Sequence, residues 1–215
     1  MPKYFNYYPT TYYNFDNSLN YDIVTNILSK VSFERDFKNN ASVYYNYTIS
    51  DGETPDIVAH KLYGSSEKHW IIMSMNDVMN PITDWPLDTN SLNNYINKKY
   101  ESYANTANGF TGLQWANQNI HSYYKIETTT DVLTGEKTEL SITIDSYTFA
   151  NTTTISAANT YTLKDGTTIQ VSTTRDAKTY YEYEEELNES KRSIRILNND
   201  YVFQIEKEFK KLMGT

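Results

Sequence analysis

Hydrophobic positions along this chain switch between helical spacing, alternation and aromatic clustering, and the switches mark out its segments. Tyr47-Thr48-Ile49 is a short β-like run that stops at Asp51-Gly52, where glycine permits a turn. Thr54 then stands as a helix cap, Pro55 fits the first helical position, and Asp56 suits the positive end of the dipole. Ile57, Val58 and Leu62 form the apolar side of that helix, and Gly64 ends it in a left-handed cap. Ser65 or Ser66 starts a second helix whose apolar bulk is Trp70, Ile71, Met73 and Met75, closed by Asn76 and Asn80-Pro81. Helices this short bury too little alone, so they must pack on each other and on the strand.

On the N-terminal side, residues 1–20 are aromatic and Asn-rich, with five tyrosines in the first thirteen residues, too apolar for a typical disordered tail. They are expected to form an extended arm lying on their own body or on a neighbouring subunit. From Tyr21, the run DIVTNILSKV predicts an amphipathic helix carrying Ile23, Ile27 and Leu28, with Val24 and Val31 beside them. After Leu87, Leu92, Tyr95, Ile96 and Tyr100 line one side of a helix over 91–103, and 105–112 is a loop by composition. Residues 115–120 are too short to assign.

β-Branched residues dominate from Ser122 to Thr174, and Leu140, Ile142 and Ile144 alternate with polar partners. Tyr161 and Leu163 face Ile169 and Val171 across Lys164-Asp165-Gly166-Thr167, where Asp-Gly is a strong hairpin signal; Thr134-Gly135 offers another turn. Helical spacing returns from Ala177, with Tyr180, Tyr183, Leu187, Ile194 and Leu197 in a near-heptad stripe. The alternation in Ser193-Ile194-Arg195-Ile196 also suits a short extended piece at its end. Asn199 or Asp200 caps a last helix striped by Val202, Ile205, Phe209 and Leu212, with Lys210 and Lys211 complementing the dipole.

At 215 residues the chain is long enough for a real core in one or two small domains. No apolar run approaches the roughly 18 residues that cross a bilayer, and the N-terminus does not read as a signal peptide. A chain without cysteine has neither disulfides nor thiolate chemistry, and a net charge of −8 argues against wrapping nucleic acid. Tyrosine, at 21 residues, suits an interface-rich protein, although codon bias in an AT-rich genome gives the same excess. His60, His69 and His121 lack ligand spacing, and no nucleophile elbow, Walker loop or dinucleotide fingerprint is present. The reading is a non-enzyme without cofactor or metal.

The order of parts resembles a LysM module, a small βααβ unit, through Tyr47-Thr48-Ile49, Gly52-Glu53-Thr54, Ile57, Ala59, Tyr63-Gly64, Asn76 and Pro81. An ordinary LysM ends in a Gly-rich second strand; this chain has none at that place. The phrase GETPDIVAHKLYGSSEKHW, followed by MND, NP and DWPL, resembles the baseplate wedge protein 53 family of contractile-tailed bacteriophages. EYEEELNESKRSIRIL and DYVFQIEKEFKKL also look like the tail end of that family.

Together these readings predict an α+β chain. A LysM-like βαα core spans 47–87, with an N-terminal aromatic arm and helix over 1–46 and a helical connector and loop over 88–120. A small antiparallel β-subdomain follows over 121–175, and a C-terminal helical segment over 176–215.

The resemblance implies a structural subunit of the tail baseplate, made in the host bacterial cytoplasm and present in several copies in a six-fold assembly. Its implied partners are the other wedge proteins and the central tail hub, with no nucleic acid and no membrane. On that reading Tyr63, Asp84, Trp85, Pro86 and Phe209 are candidate partner-binding residues, and Trp85, in a Pro-containing loop, is expected to anchor in a partner's pocket. The alternative is a cell-wall module holding N-acetylglucosamine polymers in the LysM groove, through Gly52, Thr54, Asp77 and Asn80. A transient assembly factor, absent from finished particles, is a third class.

Overall fold

The computed structural model describes residues 7–15, 20–29, 31–104 and 109–213. In chain order the first elements are β1 (Thr10–Tyr13), β2 (Asp22–Thr25), α1 (Arg35–Asn39), β3 (Tyr44–Thr48), α2 (Pro55–Tyr63) and α3 (His69–Met75). Then come α4 (Thr89–Lys99), α5 (Gly112–Gln118), β4 (Ile120–Asp131), β5 (Lys137–Ile144), α6 (Ser146–Asn151), β6 (Ile155–Thr162) and β7 (Thr168–Thr179). The last are α7 (Tyr180–Ser190), β8 (Ser193–Leu197) and α8 (Asn199–Met213). The fold is α+β with antiparallel sheets, and it divides into two units: Met1–Thr89 with Asn188–Thr215, and Asn90–Leu187.

In the first unit, β3 leads through a Gly52 turn (φ 76°) into α2, which starts at Pro55 and ends at Gly64 in the left-handed conformation. The N–H of Gly64 donates to the His60 carbonyl, the C-cap its position calls for. Strand β3 does not pair with anything nearby in sequence. Its partner is β8, antiparallel, with Tyr45 opposite Ile196 and Tyr47 opposite Ile194. Ile49, Val58, Ala59, Ile72, Trp85, Ile194 and Ile196 then close one core cluster, while Val43, Ile71, Met75, Leu197, Val202 and Ile205 close another. Both clusters draw on the middle and the end of the chain, so neither end of the unit buries its apolar face alone.

Three expectations from periodicity are corrected here. The helix expected from Tyr21 is not formed: Asp22–Thr25 is β2, paired with β1 so that Tyr12 faces Ile23 and Thr11 faces Val24. Ile23-Val24-Thr25 is a β-branched run, stiff in a helix and at home on a pleat, and Thr10 to Tyr13 offers a matching strand-forming sequence. The near-heptad stripe also breaks, because α7 stops at Ser190 and Ile194 and Leu197 lie buried in β8. In α8 the buried stripe is Val202, Ile205, Phe209 and Met213, and Leu212 points outward.

The second unit carries a four-stranded antiparallel sheet in the order β5-β4-β7-β6. The β6–β7 turn is built on Asp165-Gly166 (φ 89°), with Leu163 N–H donating to the Thr167 carbonyl at 2.8 Å. On one face Tyr123, Lys125 and Glu127 of β4 align with Ile144, Ile142 and Leu140 of β5, and Phe149 of α6 packs on Tyr123 at 4.7 Å. Residues 112–118 form α5 behind a full capping box of Thr111 and Gln114, so the loop expected over 105–112 gives way to a helix at Gly112. Gly112 is required there: a Cβ on it would stand 2.3 Å from the Asn97 carbonyl oxygen. Tyr100, Trp115 and Tyr180 form an aromatic cluster, and the buried Glu184 carboxylate accepts from Tyr100 Oη (2.8 Å) and Lys99 Nζ (2.7 Å).

Candidate functional site

The segment from Asn76 to Leu87 leaves α3 and crosses the first unit without regular structure, yet it is tied down at short intervals. The Asn76 amide bonds both backbone groups of Arg195. Asp77 has a left-handed backbone (φ 56°), the only such non-glycine among the described residues, and its carboxylate pairs with Lys38. The Asp84 carboxylate accepts the N–H groups of Met79 and Asn80 at 3.0 and 2.9 Å. Those donors and the Thr83 hydroxyl, Asn80 first, hold it below the usual carboxylate range. Lys191 Nζ donates to the Thr83 carbonyl, and the buried Asn188 amide bonds both backbone groups of Leu87.

Trp85 sits at the centre of this arrangement. Its ring is 4% exposed and packs in the core cluster, and its indole N–H donates to the Glu53 carbonyl at 2.7 Å. The side chain expected to anchor in a partner's pocket fills its own unit's core in this structure, with its indole N–H satisfied there. Pro86 beside it is also buried.

Tyr63 is half-buried, with its hydroxyl donating to the Leu197 carbonyl at 3.0 Å, and burial raises its pKa. Phe209 is buried against Trp70 at 4.5 Å, with Tyr7 and Tyr8 edge-on to it at 6.4 and 6.1 Å. Of the five partner-binding candidates, Asp84 alone is exposed, and its oxygens are committed to the loop.

The polar groups of the glycan alternative are likewise engaged locally. Thr54 Oγ1 donates to Asp56, Asp77 is paired with Lys38, and Asn80 Oδ1 accepts the Ile82 N–H. Gly52 is exposed at its turn, and Met79 and Ile82 are exposed in the neighbouring loop. Of the histidines, His69 Nδ1 meets the Ser66 carbonyl and His121 stacks on Tyr183 at 3.8 Å. Among the described residues no group of His, Asp and Glu side chains is placed to hold a metal ion.

Beneath the loop lies a cavity of about 630 Å³ that pattern reading did not find. It is walled by the segment leading into α1, the end of α3, the Asp84-Trp85 corner and the α7–β8 turn. Arg35, Lys38, Lys191 and Arg195 line it, facing Asp77 and Asp84. The sequence carries a faint signal for it, since KRSIR is a cationic cluster in an acidic chain; only folding brings that cluster beside Arg35 and Lys38.

A search of curated proteins found no match to the chain. The description "Base plate wedge protein 53" belongs to a family whose profile matches residues 9–212, nearly the whole length. The match runs through both units, the tied-down loop and the closing strand alike, and on it the chain belongs to the base plate wedge protein 53 family.

Proposed function

We propose that this chain is a structural subunit of a contractile-tail baseplate wedge, contacting the other wedge proteins and helping wedges close around the central hub in a six-fold virion assembly. The observation that carries this reading is the family match over residues 9–212. We read β3, α2, α3 and β8 as a LysM-like βααβ unit whose second strand comes from residues 193–197. In this role the unit is a scaffold for assembly.

The β1–β2 hairpin supports the choice of surface. Tyr12, Tyr13, Phe15, Tyr21, Ile23 and Leu28 are all exposed on or beside it, and a two-stranded hairpin is marginal in water by itself. Such a surface suits a neighbouring wedge protein, with its aromatic side chains as contact residues.

The test is a Tyr12→Ser, Ile23→Ser variant carried by the phage and followed by quantitative mass spectrometry of gradient-purified tails. Wild type is expected in multiples of six per particle, and the variant at sharply reduced occupancy with an unchanged monomer melting curve. Full occupancy of the variant would remove the hairpin from the interface, and absence of the wild-type chain from tails would overturn the structural role. Retention of the chain on sedimented peptidoglycan would then favour the glycan reading.

A further inference from the structure

The cavity beneath the 76–87 loop collects cationic side chains in a protein whose net charge is −8. Their hydrogen-bonding capacity is not used up. The Arg195 guanidinium is fixed from two sides, by Nη1 donating to the Lys38 carbonyl at 2.8 Å and by the Tyr44 ring 5.3 Å away. A guanidinium has five N–H donors in a planar fork, so its remaining edge is held in place and ready to donate. Lys191 has three donors and gives one to the Thr83 carbonyl. Arg35, exposed at the cavity wall, forms no ion pair among the described residues. Asp77, paired with Lys38, and Asp84, held by the Met79 and Asn80 N–H groups, offset two of the four cationic side chains and leave two in excess. Of the apolar residues around it, Val78 is half-buried and offers surface, whereas Met75, Trp85 and Ile194 are buried in the core behind it.

We propose that this cavity is a receptor for an acidic peptide segment of another protein, whose carboxylates pair with Arg35, Lys191 and Arg195 while an apolar side chain meets Val78. A planar carboxylate matches the free fork of Arg195, and charge-assisted bonds of this kind are the strong class. Asp77 and Asp84 interrupt the cationic surface, which suits the spaced carboxylates of a peptide and disfavours a nucleic acid, whose phosphates follow one another without a gap. That the peptide comes from a neighbouring virion protein rests on the wedge reading; the receptor chemistry does not.

The experiment uses the full chain and fluorescence anisotropy, with a fluorescein-labelled decapeptide of alternating Glu and Leu as probe and its Gln-Leu counterpart as control. Saturable binding of the acidic probe is expected, about tenfold weaker for the control and weakening as salt rises. An Arg35→Gln, Lys191→Gln double variant is expected to lose about tenfold for the acidic probe while keeping the wild-type far-ultraviolet circular dichroism. Equal binding of the two peptides, unchanged affinity in the double variant, or displacement of the probe by an equal concentration of oligothymidylate would overturn the proposal. So would the lack of saturable binding. Tail occupancy of the wild-type chain is read separately, so the wedge role and the receptor fail independently.

Discussion

The side-chain amide of Asn76 takes the place of a strand beside Arg195: Nδ2 donates to the Arg195 carbonyl and Oδ1 accepts the Arg195 N–H, both at 2.8 Å. The two residues are 119 positions apart. β3 and β8 make a sheet of only two strands, so β8 presents a free edge to the rest of the unit. Asn76 closes that edge at Arg195, and the Tyr63 hydroxyl closes it at Leu197. An edge left open in a part-buried place would carry unsatisfied backbone groups and invite wrong pairing. Asn188 repeats the device on Leu87, so two asparagines sew the middle of the chain to its end.

Asn76→Ala is expected to destabilise the first unit by about 2 kcal/mol, since it strands a backbone donor and an acceptor together. Asn76→Asp keeps the shape and the acceptor but sets a carboxylate against the Arg195 carbonyl, and is expected to cost at least as much. Urea unfolding followed by tryptophan fluorescence measures both. A loss under about 0.5 kcal/mol for both variants would mean that the amide contributes little.

Trp85→Ala is expected to cost about 3–5 kcal/mol, the range for emptying an aromatic site in a core. Trp85→Phe keeps much of the buried area and leaves the Glu53 carbonyl without its donor, for a smaller loss of about 1–2 kcal/mol. Thermal melts of the purified chain distinguish the two. A melt unchanged by Trp85→Ala would return the residue to the interface.

Gly112→Ala tests the second unit. Its new Cβ meets the Asn97 carbonyl oxygen at 2.3 Å and the Tyr100 carbonyl carbon at 2.9 Å, both backbone atoms, so the α4 and α5 backbones must move apart. The expected loss is about 1–3 kcal/mol, the usual range for overpacking. Near-ultraviolet circular dichroism would show it as a weakened signal from the Tyr100, Trp115 and Tyr180 cluster.

High pH is expected to unfold the chain early. Burial, and then the neighbouring Tyr45, raise the pKa of Tyr63; burial, and then Glu184, raise that of Tyr100. A raised acid keeps its proton in the folded chain after the unfolded chain has lost it. The stability these hydroxyls contribute is therefore complete below pH about 10 and is lost as the pH climbs from there toward their folded-state values. Urea midpoints measured at rising pH should fall above pH about 10, and Tyr63→Phe should flatten part of that fall. A midpoint constant across that range would contradict the assignment.

Local rules carried far along this chain. Pro55 and Gly64 bracket α2, Asp165-Gly166 turns β6 into β7, and Val202, Ile205 and Phe209 lie buried on one side of α8, each because its determinants sit within a few residues of one another. The family resemblance, too, rested on contiguous residues, and the match over 9–212 agrees with it.

What the sequence did not disclose depends on separation. The partner of β3 lies at Ser193–Leu197, and the period of its residues was shared between a helix end and a strand until Tyr45 and Tyr47 offered backbone to pair with. Ile23-Val24-Thr25 fitted a helical spacing, and pairing with Thr10 to Tyr13 decided otherwise. Trp85 in a proline-containing loop looks exposed by local pattern, and becomes core only because α2, α3 and β8 converge on it. The cationic cavity follows the same logic. Charge and apolar pattern were legible in each segment, but which segments meet is set by burial and backbone pairing across the whole chain, and that was decided in three dimensions.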